Sequence, residues 1–178
     1  MLCQVWRPLI KIANLGGMTS ITISVADERT VTALTASVVE LFAEDAGQFD
    51  PSVDTAWPVR EGADYYAGIV NDPTCLLLIA TAGDRPVGHL VGKLREPTTL
   101  QPVRFAVLES MRVAPDLRGN DVGGQLARRF LGWARESGAQ VASVTAYAAN
   151  AGAQRFYGRH GFTPQSVTLR AQLAGVPS

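Results

Sequence analysis

A strand-like run, a glycine-rich turn and an amphipathic helix follow one another between residues 105 and 134. The run Phe105–Val113 is largely apolar, and Pro115 ends it. After the turn, apolar residues recur at helical spacing and fall on one face; they are Val122, Leu126, Phe130, Trp133 and Ala134. This order of elements predicts an α/β fold in which a helix packs on a sheet and the turn lies at one edge of that sheet.

Three glycines, Gly119, Gly123 and Gly124, surround the predicted start of this helix. The first N–H groups of a helix have no partner within it and carry partial positive charge, so a glycine-lined start is suited to bind phosphate. Arg118 adds a cation beside it. An ordinary strand-to-helix loop has the same appearance, and the residues alone leave both interpretations open. The turn is not a P-loop, because no Gly-Lys-Ser/Thr follows, and its glycine spacing does not fit a dinucleotide fingerprint.

Residues 118–123, Arg-Gly-Asn-Asp-Val-Gly, resemble the Gln/Arg-x-x-Gly-x-Gly/Ala acyl-CoA loop of the GNAT acyltransferase superfamily. Residues 108–115 resemble the fourth strand of that family, and residues 150–162 resemble its later motif. The order of elements is preserved over about residues 21–173. One departure is Asp121, which stands where the family usually has its first motif glycine. Its carboxylate is expected either to point to solvent or to weaken CoA binding.

The resemblance implies that acetyl-CoA binds as co-substrate along the end of the strand and the loop. The pantetheine arm would pair with backbone groups of a splayed strand, and the pyrophosphate would lie against Arg118 and the N–H groups of residues 120–125. Asn150 is expected to cap the last helix. The cofactor-binding residues implied by the resemblance are Met111, Arg112, Val113, Arg118, Gly119, Asn120, Asp121, Val122, Gly123, Gly124, Gln125, Asn150 and Phe156.

Two residues are candidates for proton transfer. Glu109 alternates with Val107, Met111 and Val113, so a regular strand would place it on their apolar face as a candidate general base. Pairing with a nearby arginine, or a bulge that turns the side chain outward, is an equal alternative. Tyr157 lies in the later motif, and a phenol with a pKa of about 10 could protonate a leaving thiolate with a pKa of about 8.5. Its alternative role is that of a core aromatic residue.

Neither histidine has a metal-ligand partner at usable spacing, so no metal site is predicted. His89 is expected to be a satisfied, half-buried strand residue, with a place in the acceptor pocket as the lesser alternative. Cys3 and Cys75 have no redox or metal spacing and are expected to be plain thiols in a reducing cytoplasm.

The charges exclude some classes of function and favour others. Sixteen basic residues balance sixteen acidic ones, which argues against a general nucleic-acid binder. No apolar run is long enough to span a bilayer. Residues 40–72 contain eight acidic residues against Arg60 alone. In the family this segment borders the acceptor, so a cationic amine is expected, with Trp57, Tyr65 and Tyr66 as walls; a solvated helix face is the alternative.

The sequence thus predicts one α/β domain over residues 21–178, after an N-terminal extension of residues 1–20 whose disorder is one interpretation. The resemblance implies a mixed, mostly antiparallel sheet with helices on both faces and a splayed central strand pair. Asp27 is expected to cap the first helix, Gly47 to end it, and residues 161–173 to form a last strand.

The predicted function is an N-acetyltransferase that transfers an acetyl group from acetyl-CoA to a primary amine of a small molecule by direct attack. The alternatives are a catalytically weak acyl-CoA-binding regulatory module, an acetyltransferase acting on a protein amine, and a nucleotide-binding protein that uses the same loop. A cytoplasmic protein is expected, and the family makes a homodimer plausible.

Overall fold

The structure is a computed structural model that describes residues 20–171 and residue 173. The predicted N-terminal extension lies outside the described residues, apart from Ser20. The described part of the chain contains one sheet of five strands in sequence order. The strands are β1 Ile21–Val25, β2 Cys75–Ala82, β3 Arg85–Arg95, β4 Phe105–Val113 and β5 Val141–Val144.

Strands β1 to β4 pair with antiparallel neighbours, whereas β5 is parallel to β4. This is the predicted mixed, mostly antiparallel sheet. The helices are α1 Val31–Leu41, a π-helical turn Phe42–Ala46, α2 Gly47–Phe49, α3 Trp57–Arg60, α4 Gly62–Ile69, a 3-10 turn Pro115–Leu117, α5 Val122–Glu136 and α6 Ala151–Arg159.

Helices cover both faces of the sheet, as predicted. On one face, Leu34 and Val38 of α1 pack with Tyr66 of α4 against Val91 of β3. On the other face, the apolar stripe of α5 packs against β2, β3 and β4, and Phe130 is fully buried there. Burying such side chains is the main favourable contribution to folding. The two layers hold the ends of β4 and α5 in fixed positions beside each other.

Strand β4 contains one extra residue. Val91 of β3 pairs with Ser110 and the next residue, Gly92, pairs with Leu108, so Glu109 has no partner on β3. Such a β-bulge shifts the alternation of side chains along the strand. Leu108, before the bulge, lies in the core on the α5 side, and so does Met111 after it. The prediction that Glu109 shares an apolar face with Met111 and Val113 is therefore wrong, and Glu109 is exposed.

Strand β5 is shorter than the strand beside it. Its four residues, Val141–Val144, pair with Phe105–Leu108, and β4 then continues to Val113 without β5 beside it. Among the residues that the structure describes, the edge of β4 that faces away from β3 therefore has no strand partner from Glu109 onward. We call the space beside this part of β4 the gap; the splay of the two strands that the resemblance implied stays a prediction.

Asp27 caps the turn that leads into α1: its carbonyl accepts the N–H of Val31, and its Oδ1 accepts the N–H groups of Arg29 and Thr30, although the regular helix begins at Val31. Two other sequence expectations differ from the structure. The helix does not end at Gly47 but passes into the π-helical turn. Residues 161–171 form no strand, and Arg170 in this segment binds Asp50 in a distant loop.

Gly92 allows α5 to approach the sheet closely. A β-carbon at this position would lie 2.8 Å from two ring carbons of Phe130 and 3.3 Å from Trp133. Phe130 is fully buried and cannot swing away. We therefore expect Gly92→Ala to lower the free energy of unfolding by about 1–3 kcal/mol through overpacking. Urea denaturation measures this change.

Gly132 is the matched control, because it lies within α5 and a β-carbon there would meet nothing within 4 Å. We expect Gly132→Ala to raise the free energy of unfolding by up to about 1 kcal/mol through helix propensity. Equal effects of the two substitutions would contradict the close packing of α5 on Gly92.

Candidate functional site

The gap between β4 and β5 is bordered by three predicted elements. The first turn of α5 packs here against both strand and helix: a β-carbon on Gly123 would lie 3.3 Å from the ring of Phe156 and 3.6 Å from Val113. The glycine therefore brings the start of α5, the end of β4 and helix α6 together at one place. The π-helical turn lies across the gap: Glu44 binds Arg112 of β4, and Asp45 binds Asn150 at the start of α6.

Asp121 adopts the left-handed conformation, with φ of +57°, at the start of α5. Aspartate and asparagine tolerate this region better than other residues with a side chain, and glycine tolerates it best. Asp121 thus replaces the family's motif glycine at a position whose backbone is left-handed. The carboxylate folds back over α5, where Gly124 leaves room for it and Arg128 binds it at 2.6 Å.

Arg118 reaches from the loop across the end of β4. Its Nε donates a hydrogen bond to the Val113 carbonyl at 3.0 Å, and its Nη2 donates to Glu44 Oε2 at 2.5 Å. The side chain is more than half exposed, so the guanidinium is in contact with solvent on its other side. The predicted phosphate-binding cation is therefore held by a carboxylate from the opposite wall of the gap.

Arg112 has a side chain that is only 7% exposed, and two carboxylates neutralise it. Its Nη2 lies 2.6 Å from Glu44 Oε1 and its Nη1 lies 2.6 Å from Glu40 Oε2. Glu44 thus binds Arg112 with one oxygen and Arg118 with the other. Partial burial acts to raise the pKa of the Glu44 carboxyl, but the two guanidinium groups outweigh burial and lower it.

Asn150 caps α6, as predicted. Its Oδ1 accepts a hydrogen bond from the Ala153 N–H at 2.9 Å, and its Nδ2 donates to Asp45 Oδ1 at 3.1 Å. The second bond ties α6 to the π-helical turn across the gap. Sequence patterns could not reveal it, because the two residues are 105 positions apart.

Tyr157 lies on the inner side of α6 between two aromatic rings. Its ring centroid is 5.3 Å from that of Phe156 and 5.7 Å from that of Phe162. Burial, helped by the negative charge of Asp45, raises the pKa of the Tyr157 phenol to about 12. The phenol therefore keeps its proton throughout the neutral range and can act as a hydrogen-bond donor.

A pocket of about 450 Å³ lies on the α1 side of the sheet, at the bulge. It is lined by Phe42, Val53, Asp54, Trp57, Tyr65, Tyr66, Glu109 and Ser110. The three aromatic residues expected as acceptor walls are thus together, with ring centroids 5.5 Å apart for Trp57 and Tyr65 and 5.1 Å apart for Tyr65 and Tyr66. Sequence reasoning missed Ser110, because only the bulge turns it toward this side.

His89 is fully buried behind this pocket rather than half-buried. Its Nδ1 lies 2.8 Å from the Ser37 hydroxyl of α1, and its Nε2 lies 3.2 Å from the Ser110 hydroxyl. Burial, together with the positive charge of Arg112, lowers the pKa of His89 to about 3. The imidazole is therefore neutral, and both of its nitrogens have a partner.

Within residues 20–171, no group of three or more His, Cys, Asp or Glu side chains has a metal-binding arrangement. None of the helices in the described part of the chain is long and apolar enough to cross a membrane.

Residues 36–162 match the model of the acetyltransferase (GNAT) family. Curated proteins, in contrast, gave no match to the chain.

Several solved structures share the fold over almost their whole length. A transcriptional regulator from Bacillus halodurans C-125 is 25% identical, with a TM-score of 0.68 over 86% of this chain and 99% of that chain. A predicted acetyltransferase from Clostridium acetobutylicum, solved with acetyl-CoA, is 16% identical, with a TM-score of 0.69 over 85% and 96%. An aminoglycoside acetyltransferase from an uncultured soil metagenomic sample, in complex with sisomicin, is 15% identical, with a TM-score of 0.65 over 86% and 96%.

The left-handed backbone at Asp121 generates a stability prediction. Asp121→Ala should lower the free energy of unfolding by about 1 kcal/mol, because alanine is strained in the left-handed conformation, whereas the short polar side chain of aspartate stabilises it locally. Asp121→Asn keeps that tolerance and should change the stability much less. Urea denaturation of both variants separates the backbone effect from the charge.

Arg128→Ala is the control for the ion pair, which joins two exposed side chains and should contribute only about 0–1 kcal/mol. If Asp121→Ala and Asp121→Asn lose the same stability, the charge rather than the backbone matters at this position.

Proposed function

The chain belongs to the acetyltransferase (GNAT) family, and we propose that it transfers an acetyl group from acetyl-CoA to a primary amine of a small, cationic molecule. The observation that most supports this is the position of Glu109. It is the first residue of β4 beyond the last pair with β5, and it also lines the aromatic pocket. A carboxylate thus stands where the gap meets the pocket.

Acetyl-CoA is proposed to bind in the gap. The free edge of β4 at residues 111–113 offers backbone groups to the pantetheine amides. The first backbone bond of α5 runs from the Gln125 N–H to the Asp121 carbonyl, so the N–H groups of Val122, Gly123 and Gly124 precede it and can bind the pyrophosphate. Arg118 adds a guanidinium, which phosphate binds strongly. Asn150 and Phe156 border the same gap.

The acceptor amine is proposed to enter from the aromatic pocket. Its ammonium loses a proton to Glu109, directly or through water, and the free nitrogen attacks the thioester carbonyl. As the C–N bond forms, the nitrogen releases its second proton to water; the C–S bond then breaks, and CoA leaves as a thiolate. Holding both reactants in one geometry removes the entropic cost of their encounter at the moment of reaction.

Tyr157 is proposed to donate a hydrogen bond to the leaving thiolate. Its raised pKa changes the role that the sequence suggested. With a phenol pKa of about 12 and a thiol pKa of about 8.5, complete proton transfer would be uphill by about 5 kcal/mol. Tyr157 therefore stabilises the developing negative charge by a hydrogen bond, and the proton that finally reaches the thiolate comes from water.

A cationic acceptor fits the charge and the rings of the pocket. Glu109 and Asp54 are its carboxylates, although Asp54 binds Arg60 at 2.7 Å. The faces of Trp57 and Tyr65 can attract an ammonium group. The aminoglycoside acetyltransferase that shares this fold suggests one class of multiply charged amine for the test.

The second candidate function is an acyl-CoA-binding regulatory module with weak catalysis. The observation that favours it is the bond between Arg118 and Glu44, which holds the proposed phosphate-binding cation. A protein amine as acceptor is a variant of the first function and has no feature of its own in its favour.

The activity is tested by measuring thiol release from acetyl-CoA with a panel of amines. The panel pairs polyamines and aminoglycosides with neutral and acidic amines of similar size. We expect cationic acceptors to give the higher kcat/KM, and added salt to reduce it, because exposed charges are screened over about 8–10 Å. In the same assay, Tyr157→Phe should lower kcat about tenfold to a hundredfold, as expected for a lost hydrogen bond to a developing charge, with little change in acetyl-CoA binding by calorimetry.

Tyr147→Phe is the matched control, since it removes the hydroxyl of a tyrosine that packs on Phe49 instead. Tight acetyl-CoA binding without amine-dependent thiol release would favour the regulatory module. Full activity of Glu109→Gln would show that Glu109 is not the base. A preference for acidic amines would refute the cationic acceptor.

The position of Glu44 leads to a prediction about affinity. Glu44→Gln should tighten acetyl-CoA binding about two- to fivefold, because an exposed ion pair that competes for Arg118 contributes up to about 1 kcal/mol. Glu40→Gln is the control: it also removes a carboxylate from Arg112 but leaves Arg118 bound to Glu44. Isothermal calorimetry at low salt measures both.

Weaker binding by Glu44→Gln, with Glu40→Gln unchanged, would show that the carboxylate holds Arg118 in its binding position rather than competing for it. Equal changes in the two variants would point to Arg112 instead.

A further inference from the structure

A buried imidazole links helix α1 to the wall of the aromatic pocket, and the proposed reaction does not use it. His89 lies in β3 with no exposed surface, between the hydroxyl of Ser37 on one side and that of Ser110 on the other. Ser37 is itself buried, whereas Ser110 lines the pocket beside Glu109. The chain of hydrogen bonds thus begins in the core and ends where the acceptor would enter.

His89 cannot act here by taking up a proton. The charged groups near it are Arg112, whose positive charge opposes protonation, and the carboxylates of Glu40 and Glu44 that pair with Arg112. Burial is the larger cause and Arg112 adds to it, so the ring is neutral in the neutral pH range. A neutral imidazole donates from one nitrogen and accepts at the other, so it fixes the O–H direction of the hydroxyl that donates to it, while the hydroxyl on the other side fixes the tautomer.

Two arrangements of the proton are available, and one suits an amine better. If Nδ1–H donates to Ser37, then Nε2 accepts the Ser110 O–H, and the lone pairs of the Ser110 oxygen face the pocket. In the reverse tautomer, the Ser110 oxygen accepts from Nε2–H, keeps one lone pair and points its own proton into the pocket. An ammonium group is a donor only, so the first arrangement, with no hydroxyl proton facing it, fits it better.

The bulge gives Ser110 its place in the wall. A regular strand would put Leu108 and Ser110 on the same face, but Leu108 packs in the core under α5 while Ser110 contacts His89 on the opposite side. Tyr66 is its neighbour in the pocket. Burial raises the pKa of Tyr66 to about 12, and the nearby Ser110 hydroxyl acts in the opposite direction. Tyr66 therefore keeps its proton beside this hydroxyl.

We propose that the Ser110 hydroxyl accepts a hydrogen bond from the acceptor amine, and that His89 and Ser37 are positioning residues that hold this hydroxyl in the accepting orientation. The inference rests on the proposed acetyl transfer and adds a contact for the attacking nitrogen. Ser110 would orient the nitrogen beside Glu109, while Glu109 takes its proton.

The first test is steady-state kinetics with the best cationic amine of the panel. Ser110→Ala should lower kcat/KM for the amine about tenfold to a hundredfold, as expected for a lost hydrogen bond to a charged donor. The KM for acetyl-CoA should stay within about twofold. Ser37→Ala should lower kcat/KM for the amine by a smaller factor of about three to ten.

The double variant Ser37→Ala/Ser110→Ala separates positioning from general damage. If Ser37 acts only through Ser110, the double variant should be no worse than Ser110→Ala alone, whereas independent effects would multiply. Thr35→Val is the matched control on α1. Thr35 is also buried, but its hydroxyl bonds to the Val31 carbonyl of its own helix and not to His89. This variant should keep the wild-type kinetics.

The tautomer of His89 gives a readout that needs no turnover. ¹⁵N NMR of the wild-type protein should show a neutral ring with the proton on Nδ1. A proton on Nε2, a multiplicative loss in the double variant, or an unchanged kcat/KM for the amine in Ser110→Ala would each overturn the inference while leaving acetyl transfer in place. A wild-type protein that releases no thiol with any amine would overturn the proposed function, and the inference with it.

Discussion

The candidate site depends on one unpaired residue in β4. Because two residues, Glu109 and Ser110, occupy the space opposite Val91, the strand presents Leu108 to the core under α5 and Ser110 to the other face of the sheet. Without this bulge, Glu109 and Ser110 would point to opposite faces of the sheet, and the pocket would lose one of these two polar groups. The pairing of β4 with β5 stops at the residue before Glu109, so the candidate site begins where this pairing ends.

Ion pairs and hydrogen bonds connect the π-helical turn to β4, to the loop before α5 and to the start of α6. Glu44 of the π-helical turn binds both the buried Arg112 and the exposed Arg118, and its neighbour Asp45 binds Asn150 at the start of α6. A buried guanidinium is stable only when carboxylates neutralise it. Any ligand that binds Arg118 would therefore change the surroundings of Glu44. In this way the proposed cofactor-binding side and the proposed acceptor-binding side are coupled.

The sequence predicts those parts of this structure that depend on local patterns. The glycine-lined turn, the single apolar face of α5, the limits of β4 and the Asn150 cap each follow from residues close together in the chain. The bulge does not, because Glu109 continues an unbroken alternation of residues. The expected strand at residues 161–173 is not formed within the described part, where Arg170 instead contacts a loop 120 positions away. The partners of Arg112 and Arg118 are likewise 68 and 74 positions distant.

The π-helical turn Phe42–Ala46 has a wider consequence. A π-helical turn holds one residue more than an α-helical turn, as the bulge in β4 does relative to a regular strand. Deleting one residue of this turn would restore an α-helix and shift Glu44, which lies inside the turn, relative to both guanidinium groups. The core side chains of α1, which come earlier, would stay in place. In this fold, a gain or loss of a single residue at either irregularity would alter the site more than most substitutions, while the domain around it could still fold.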